Sequence, residues 1–126
     1  MAYLGENIKK LGFGLMRLPK INDDAIDIEQ VKKMVDMFLA KGFTYFDTAY
    51  SYGGSEEMLG SIIAKNGIRS QMLIATKLPH GKCRTIDDVG RLFSTSLERL
   101  QTDYVDYYLM HNIVTLEQWE RLVGLG

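Results

Sequence analysis

A single cysteine, Cys83, stands in a chain of 126 residues. One thiol cannot close an internal disulfide, and no neighbouring residues give it metal-ligand spacing, so it reads as a reduced bystander and no metal centre is expected. Charge of one sign is also lacking: 15 Lys and Arg face 16 Asp and Glu, a formal −1 at pH 7. That balance gives no nucleic-acid footprint, and 46% hydrophobic residues are too many for a disordered chain. Long hydrophobic runs are missing as well. No apolar stretch approaches the roughly 18 residues of a membrane span, and residues 1–10 carry no apolar signal-peptide core, which leaves the cytosol as the default and no membrane among the partners. Pro19 and Pro79 are the only prolines, and each falls where the chain leaves an apolar run.

What is present is a regular alternation of strand-like and helix-like segments. Residues 3–10 read as a small hairpin or irregular lead-in over one end of a barrel. Residues 10–15 form a short strand in which Gly12 and Gly14 leave room for a ligand or another backbone. Asp27 caps a helix to about Lys41 whose stripe is Val31, Met34, Val35, Phe38 and Leu39. A second strand covers 43–47. Ser55 is the expected cap of the next helix, with Leu59, Ile62 and Ile63 inward, and Asn66-Gly67 ends it.

The third strand covers 72–77, and Thr85 opens a helix to Leu100 on which Val89, Leu92, Phe93, Leu97 and Leu100 keep the helical period around Ser96. A fourth strand covers 104–111. Thr115 through Gln118 has capping-box spacing for a last helix holding Trp119 and Leu122. The expectation is therefore an α/β fold of parallel strands with right-handed crossovers, a (βα)4 half of a TIM-type (β/α)8 barrel, in one domain over residues 1–126. The length is about half of the ~250 residues usual for a closed barrel. A flavodoxin-like open sheet is the alternative. Gly12-Phe13-Gly14 lacks the third glycine of a dinucleotide fingerprint and has little weight.

Three strand ends carry polar groups, Asp47, Lys77 and His111, and Tyr52 lies five positions beyond Asp47 in a loop. Alternation along the strands puts Lys77 with Ala75 and Leu73, His111 with Leu109, Tyr107 and Val105, and Asp47 with Tyr45 and Phe43. Taken singly, each polar residue has an ordinary use as a turn cap, a solvated strand end, a loop aromatic or a satisfied histidine. Their joint placement points to a site. A phenol with pKa near ~10 becomes an effective proton donor when a cation stabilises its anion. Lys77 supplies that cation, Asp47 holds it charged, and a neutral His111 donates to a substrate oxygen. Proton delivery to a carbonyl suits hydride reduction, which needs a nicotinamide or comparable cofactor. Two alternatives stand beside this: a lyase with Lys77 as Schiff-base nucleophile, and a non-catalytic half-barrel that self-associates through its unpaired edges and opened core face.

These residues fall within longer matching stretches: Leu11-Gly12-Phe13-Gly14-Leu15-Met16-Arg17-Leu18-Pro19; Phe46-Asp47-Thr48-Ala49-Tyr50-Ser51-Tyr52-Gly53 with Ser55-Glu56 and Leu59-Gly60; Ala75-Thr76-Lys77; and Ser96-Leu97-Glu98-Arg99-Leu100 through Asp103-Tyr104-Val105-Asp106 to Leu109-Met110-His111. In this order and spacing the chain resembles the N-terminal half of the aldo-keto reductases. The resemblance implies that Asp47, Tyr52, Lys77 and His111 are the catalytic tetrad, with Tyr52 the general acid. It implies NADPH as cofactor, with Gly14, Leu15, Met16 and Asp47 near its nicotinamide end, and small carbonyl compounds as substrates. Leu15 replaces a threonine common in the family. The family's remaining cofactor contacts come from strands five to eight, so turnover by these 126 residues alone is not expected. The wording around Arg17-Leu18-Pro19 is also similar to bacterial reductases with a C-terminal iron–sulfur segment, for which this chain has no cysteine cluster.

Overall fold

A computed structural model of the chain describes residues 6–126. The lead-in expected over 3–10 lies partly outside the described residues, and its remainder is bends and irregular backbone. In chain order the elements are β1 (Gly12–Gly14), β2 (Lys20–Asn22), β3 (Ala25–Ile26), α1 (Ile28–Ala40), β4 (Tyr45–Asp47), α2 (Ser55–Asn66), β5 (Leu73–Leu78), α3 (Ile86–Leu100), β6 (Tyr107–Met110) and α4 (Leu116–Val123). The main sheet runs β1-β4-β5-β6, every pair parallel. Strand order thus follows chain order. A flavodoxin-like sheet reverses its order at the first strand, so the sequential order favours a barrel wall.

Register fixes which residues share a face. Phe13 pairs with Phe46 and Phe46 with Ile74, while Thr76 pairs with Tyr108. That face meets the helices: Phe46 and Ile74 are buried with Val31, Val35, Leu59, Ile62 and Leu100. Leu78 joins Cys83, Leu92 and Leu122 in a second cluster nearer α4. Gly14, Asp47, Ala75 and Tyr107 align across the opposite face, followed by Lys77 beside Leu109. On that face the Tyr45 and Tyr107 rings lie 5.9 Å apart.

Several helix starts follow their side chains. Asp27 Oδ1 accepts from Gln30 N at 3.0 Å. Thr85 and Asp88 form a reciprocal capping box, as do Thr115 and Gln118. Ser55 does not cap α2. It is the first helical residue, Gly54 at φ +76° precedes it, and the Ser55 hydroxyl pairs instead with Thr48 Oγ1 at 2.8 Å. The last helix, α4, holds Trp119 and Leu122 as expected; Leu122 is buried and Trp119 is 45% exposed.

All four expected strands begin late, β1 and β4 by two residues, β5 by one and β6 by three. Phe43 stacks on Phe38 of α1 at 5.1 Å, outside the sheet. Tyr104 lies in a loop under the Arg69 guanidinium at 3.8 Å. The β2–β3 hairpin is a feature that the sequence reading missed; Asn22 Oδ1 turns it by accepting from Asp24 N at 2.9 Å.

Candidate active site

Lys77 leaves the C-terminal half of β5 on the face opposite the helices. An ammonium has three hydrogens to donate, and Lys77 Nζ has three acceptors: Asp47 Oδ2 at 2.8 Å, the Thr48 carbonyl at 2.8 Å and Tyr52 Oη at 3.3 Å. The amine is thereby fixed in place and aimed at the phenol. Its side chain is only 13% exposed and that of Asp47 33%, so water screens the pair incompletely.

The loop after β4 is folded to bring Tyr52 back over the strand ends. Thr48 N donates to the Ala75 carbonyl, which continues the sheet register one residue past Asp47. Tyr52 N donates to the Ala49 carbonyl at 3.1 Å and Ser55 N to the Tyr52 carbonyl at 2.9 Å. The buried Thr48–Ser55 hydroxyl pair closes the loop at its base. Tyr52 therefore sits between consecutive turns. Because its oxygen accepts from Lys77, its own hydrogen is free to point away from the ammonium.

His111 follows β6, with its N–H on the Leu78 carbonyl at 2.9 Å. Its ring meets Tyr52 edge to face, centroids 5.7 Å apart. Burial lowers the imidazole pKa below its ordinary 6.5, and the Lys77 and His80 charges lower it further against an upward pull from Asp47. A neutral imidazole at neutral pH follows. Tyr45, beneath this layer, has its hydroxyl pKa raised by burial, then by Asp47 and Tyr107.

All four polar residues expected from the sequence are thus in one cluster. The expected cofactor contacts divide. Gly14 has nothing within 4 Å of where a Cβ would stand, and Met16 is 63% exposed. Leu15 is fully buried in the main core and gives its N–H to the Asp47 carbonyl, so its side chain faces away from the site. Sequence reading missed two contributors: Thr48, whose carbonyl is a Lys77 acceptor, and Glu56, fully buried behind the sheet on Thr76 Oγ1 at 2.7 Å. Only the polarity of Thr76 and Glu56 amid apolar neighbours could have signalled the latter pair.

The sequence model of the Aldo/keto reductase family matches residues 10–124. The chain belongs to the aldo/keto reductase family. An aldo-keto reductase of Strobilurus tenacellus is 32% identical over 126 residues, covering 93% of this chain and 37% of its own length. One from Mycobacterium sp. strain KMS is 35% identical over 108 residues, covering 85% and 36%. Among solved structures, an aldo-keto reductase of Klebsiella pneumoniae in complex with NADPH superposes with a TM-score of 0.70 at 28% identity, over 93% of this chain and 42% of the other. The chain thus spans under half the length of these relatives, and its parallel sheet with helices on one face is half of an aldo/keto reductase barrel. Among the described residues no helix is long and apolar enough to cross a membrane.

Proposed function

We propose that this site belongs to an NADPH-dependent reductase of aldehydes or ketones, with Tyr52 as the acid that protonates the carbonyl oxygen. The observation that carries the reading is the full engagement of Lys77: its hydrogens are divided among Asp47, Thr48 and Tyr52. Phenolate character that develops on Tyr52 as its proton leaves falls directly on that ammonium, where low solvent exposure strengthens the attraction. Asp47 keeps Lys77 in place and charged. Neutral His111, beside the Tyr52 ring, donates a hydrogen bond that orients the substrate oxygen without competing as an acid.

The residues fit a nicotinamide in one respect: open backbone at Gly14 and the exposed Met16 adjoin Asp47, leaving a flat ring room beside the acid. Gly14, Met16, Asp47 and the backbone of Leu15 would hold that end. The cofactor supplies the hydride when bound. The lyase alternative needs a Lys77 amine available for attack, whereas this one is already paired with the Asp47 carboxylate at 2.8 Å.

The test is NADPH oxidation with a simple aldehyde, with the complementary half of the barrel supplied, comparing the chain with Tyr52→Phe. General acid catalysis contributes about 10²–10⁴-fold, so a loss of at least ~10²-fold is expected. Unchanged turnover would reject Tyr52 as the acid.

A further inference from the structure

We propose that the pocket beside His111 is a subsite for an anionic group, so that the carbonyl compounds taken by this site carry a carboxylate or phosphate away from the reacting carbon. The inference rests on the function proposed above and deepens it to a substrate class.

The pocket is an open depression of about 320 Å³, and its lining includes Ser51, His80, Lys82, His111 and Asn112. Lys82 and Gly81 also line a neighbouring depression of about 560 Å³ with Arg84, Asp88 and Arg91. Three permanent cations and one carboxylate therefore border the two spaces. The carboxylate is already committed: Asp88 Oδ2 accepts from Arg84 N at 2.8 Å and Thr85 N at 3.1 Å, and Asp88 Oδ1 from Arg91 at 2.9 Å. Asp88 thus balances Arg91. Lys82 Nζ meets the Tyr50 ring at 6.0 Å, and among the described residues no carboxylate forms an ion pair with Lys82 or Arg84.

The loop that carries these cations is built into the fold. Cys83 is 1% exposed, packed against Leu78, Leu92 and Leu122. Arg121 of α4 clamps the loop, donating to the Cys83 carbonyl at 2.9 Å and the His80 carbonyl at 2.7 Å. Lys82 N closes a turn on the Pro79 carbonyl at 2.8 Å. A chain with net charge −1 thus presents, beside the proton-donor cluster, a fixed loop with positive charge that no acidic side chain offsets. Such a local excess attracts anions whatever the total charge.

The experiment titrates the chain with 4-formylbenzoate, its methyl ester, inorganic phosphate and adenosine 2′-phosphate, following the His111 and His80 imidazole signals by NMR. The acid and ester differ by one charge at a fixed distance from the aldehyde. The acid should bind about fivefold more tightly, the scale of an exposed ion pair, and the preference should fall to near parity in Lys82→Gln/Arg84→Gln. Equal binding of acid and ester, or a preference undiminished in the double variant, would overturn the subsite. Lys82-dependent binding of adenosine 2′-phosphate more than about tenfold tighter than that of inorganic phosphate, which matches its charge without the nucleoside, would assign the site to the cofactor and also overturn it. Failure of the reductase reading shows separately, in the turnover of Tyr52→Phe, because the titration requires no catalysis.

Discussion

His111 feels burial first, then the charges of Lys77 and His80, all lowering its pKa, and Asp47 alone opposing them. In the interval between the folded value and 6.5 the unfolded chain binds the extra proton and the folded chain resists it. Stability from the neutral imidazole is therefore complete above the unfolded value and is lost as pH falls below it. The imidazole Cε1–H signal should titrate with a midpoint under 6.5, moving upward in Lys77→Met, which removes one lowering charge and leaves the burial. A midpoint that stays put in the variant would deny that Lys77 acts on this ring. At this scale the sequence was most readable where a polar residue closes an apolar strand, because alternation decides its face: Asp47, Lys77 and His111 all follow that rule. Leu15 shows the converse. The family resemblance puts it near the cofactor, and a single step along the strand turns its side chain into the core, so only its backbone is left for that role.

Among the elements, helix starts were legible wherever a side-chain oxygen could reach the backbone three residues on, as at Asp27, Thr85 and Thr115. Ser55 failed as a cap because the loop needed its hydroxyl for Thr48, and a tertiary demand of that kind leaves no local trace. The short β2–β3 hairpin was hidden for a different reason: its strands of 3 and 2 residues are too short to show period-2 alternation. The closeness of α2 to α3 was equally invisible. A Cβ at Gly60 would come within 2.1 Å of the Arg99 carbonyl oxygen and 2.9 Å of the Leu100 carbonyl carbon, both backbone atoms that no side-chain rotation can move aside. Gly60→Ala must therefore push the helices apart, and overpacking of this kind costs about 3 kcal/mol. Urea unfolding should show that loss as a lower midpoint. Gly90→Ala, on a helix position with nothing within 4 Å, should instead be neutral or slightly stabilising, which controls for helix propensity.

Across the whole molecule, one buried carboxylate ties together parts that the sequence keeps far apart. Glu56 stands in the first turn of α2, where an acidic side chain complements the helix dipole. In the fold it accepts from Thr76 of β5 at 2.7 Å and from Arg99 of α3 at 3.3 Å, while Arg99 also reaches Glu57 at 3.1 Å and the Tyr50 carbonyl at 3.2 Å and lies over the Tyr50 ring. The residue directly after Thr76 is Lys77, so the network anchors the back of the strand whose front carries the proposed proton-donor cluster. Its two ends are not equivalent. Removing Glu56 leaves Arg99 with Glu57, Tyr50 and partial contact with water, so Glu56→Ala loses mainly the Thr76 hydroxyl's partner and some packing, about 2 kcal/mol. Removing Arg99 leaves a fully buried carboxylate with one hydroxyl for company, and stranding a buried charge costs about 3–5 kcal/mol. Arg99→Met should therefore destabilise the fold more than Glu56→Ala, although Arg99 is the more exposed partner, and the double variant should recover part of the Arg99→Met loss. Urea midpoints of the three variants decide it: equal losses, or a double variant that is the sum of the singles, would show that the carboxylate is solvated and that the network does not join the layers.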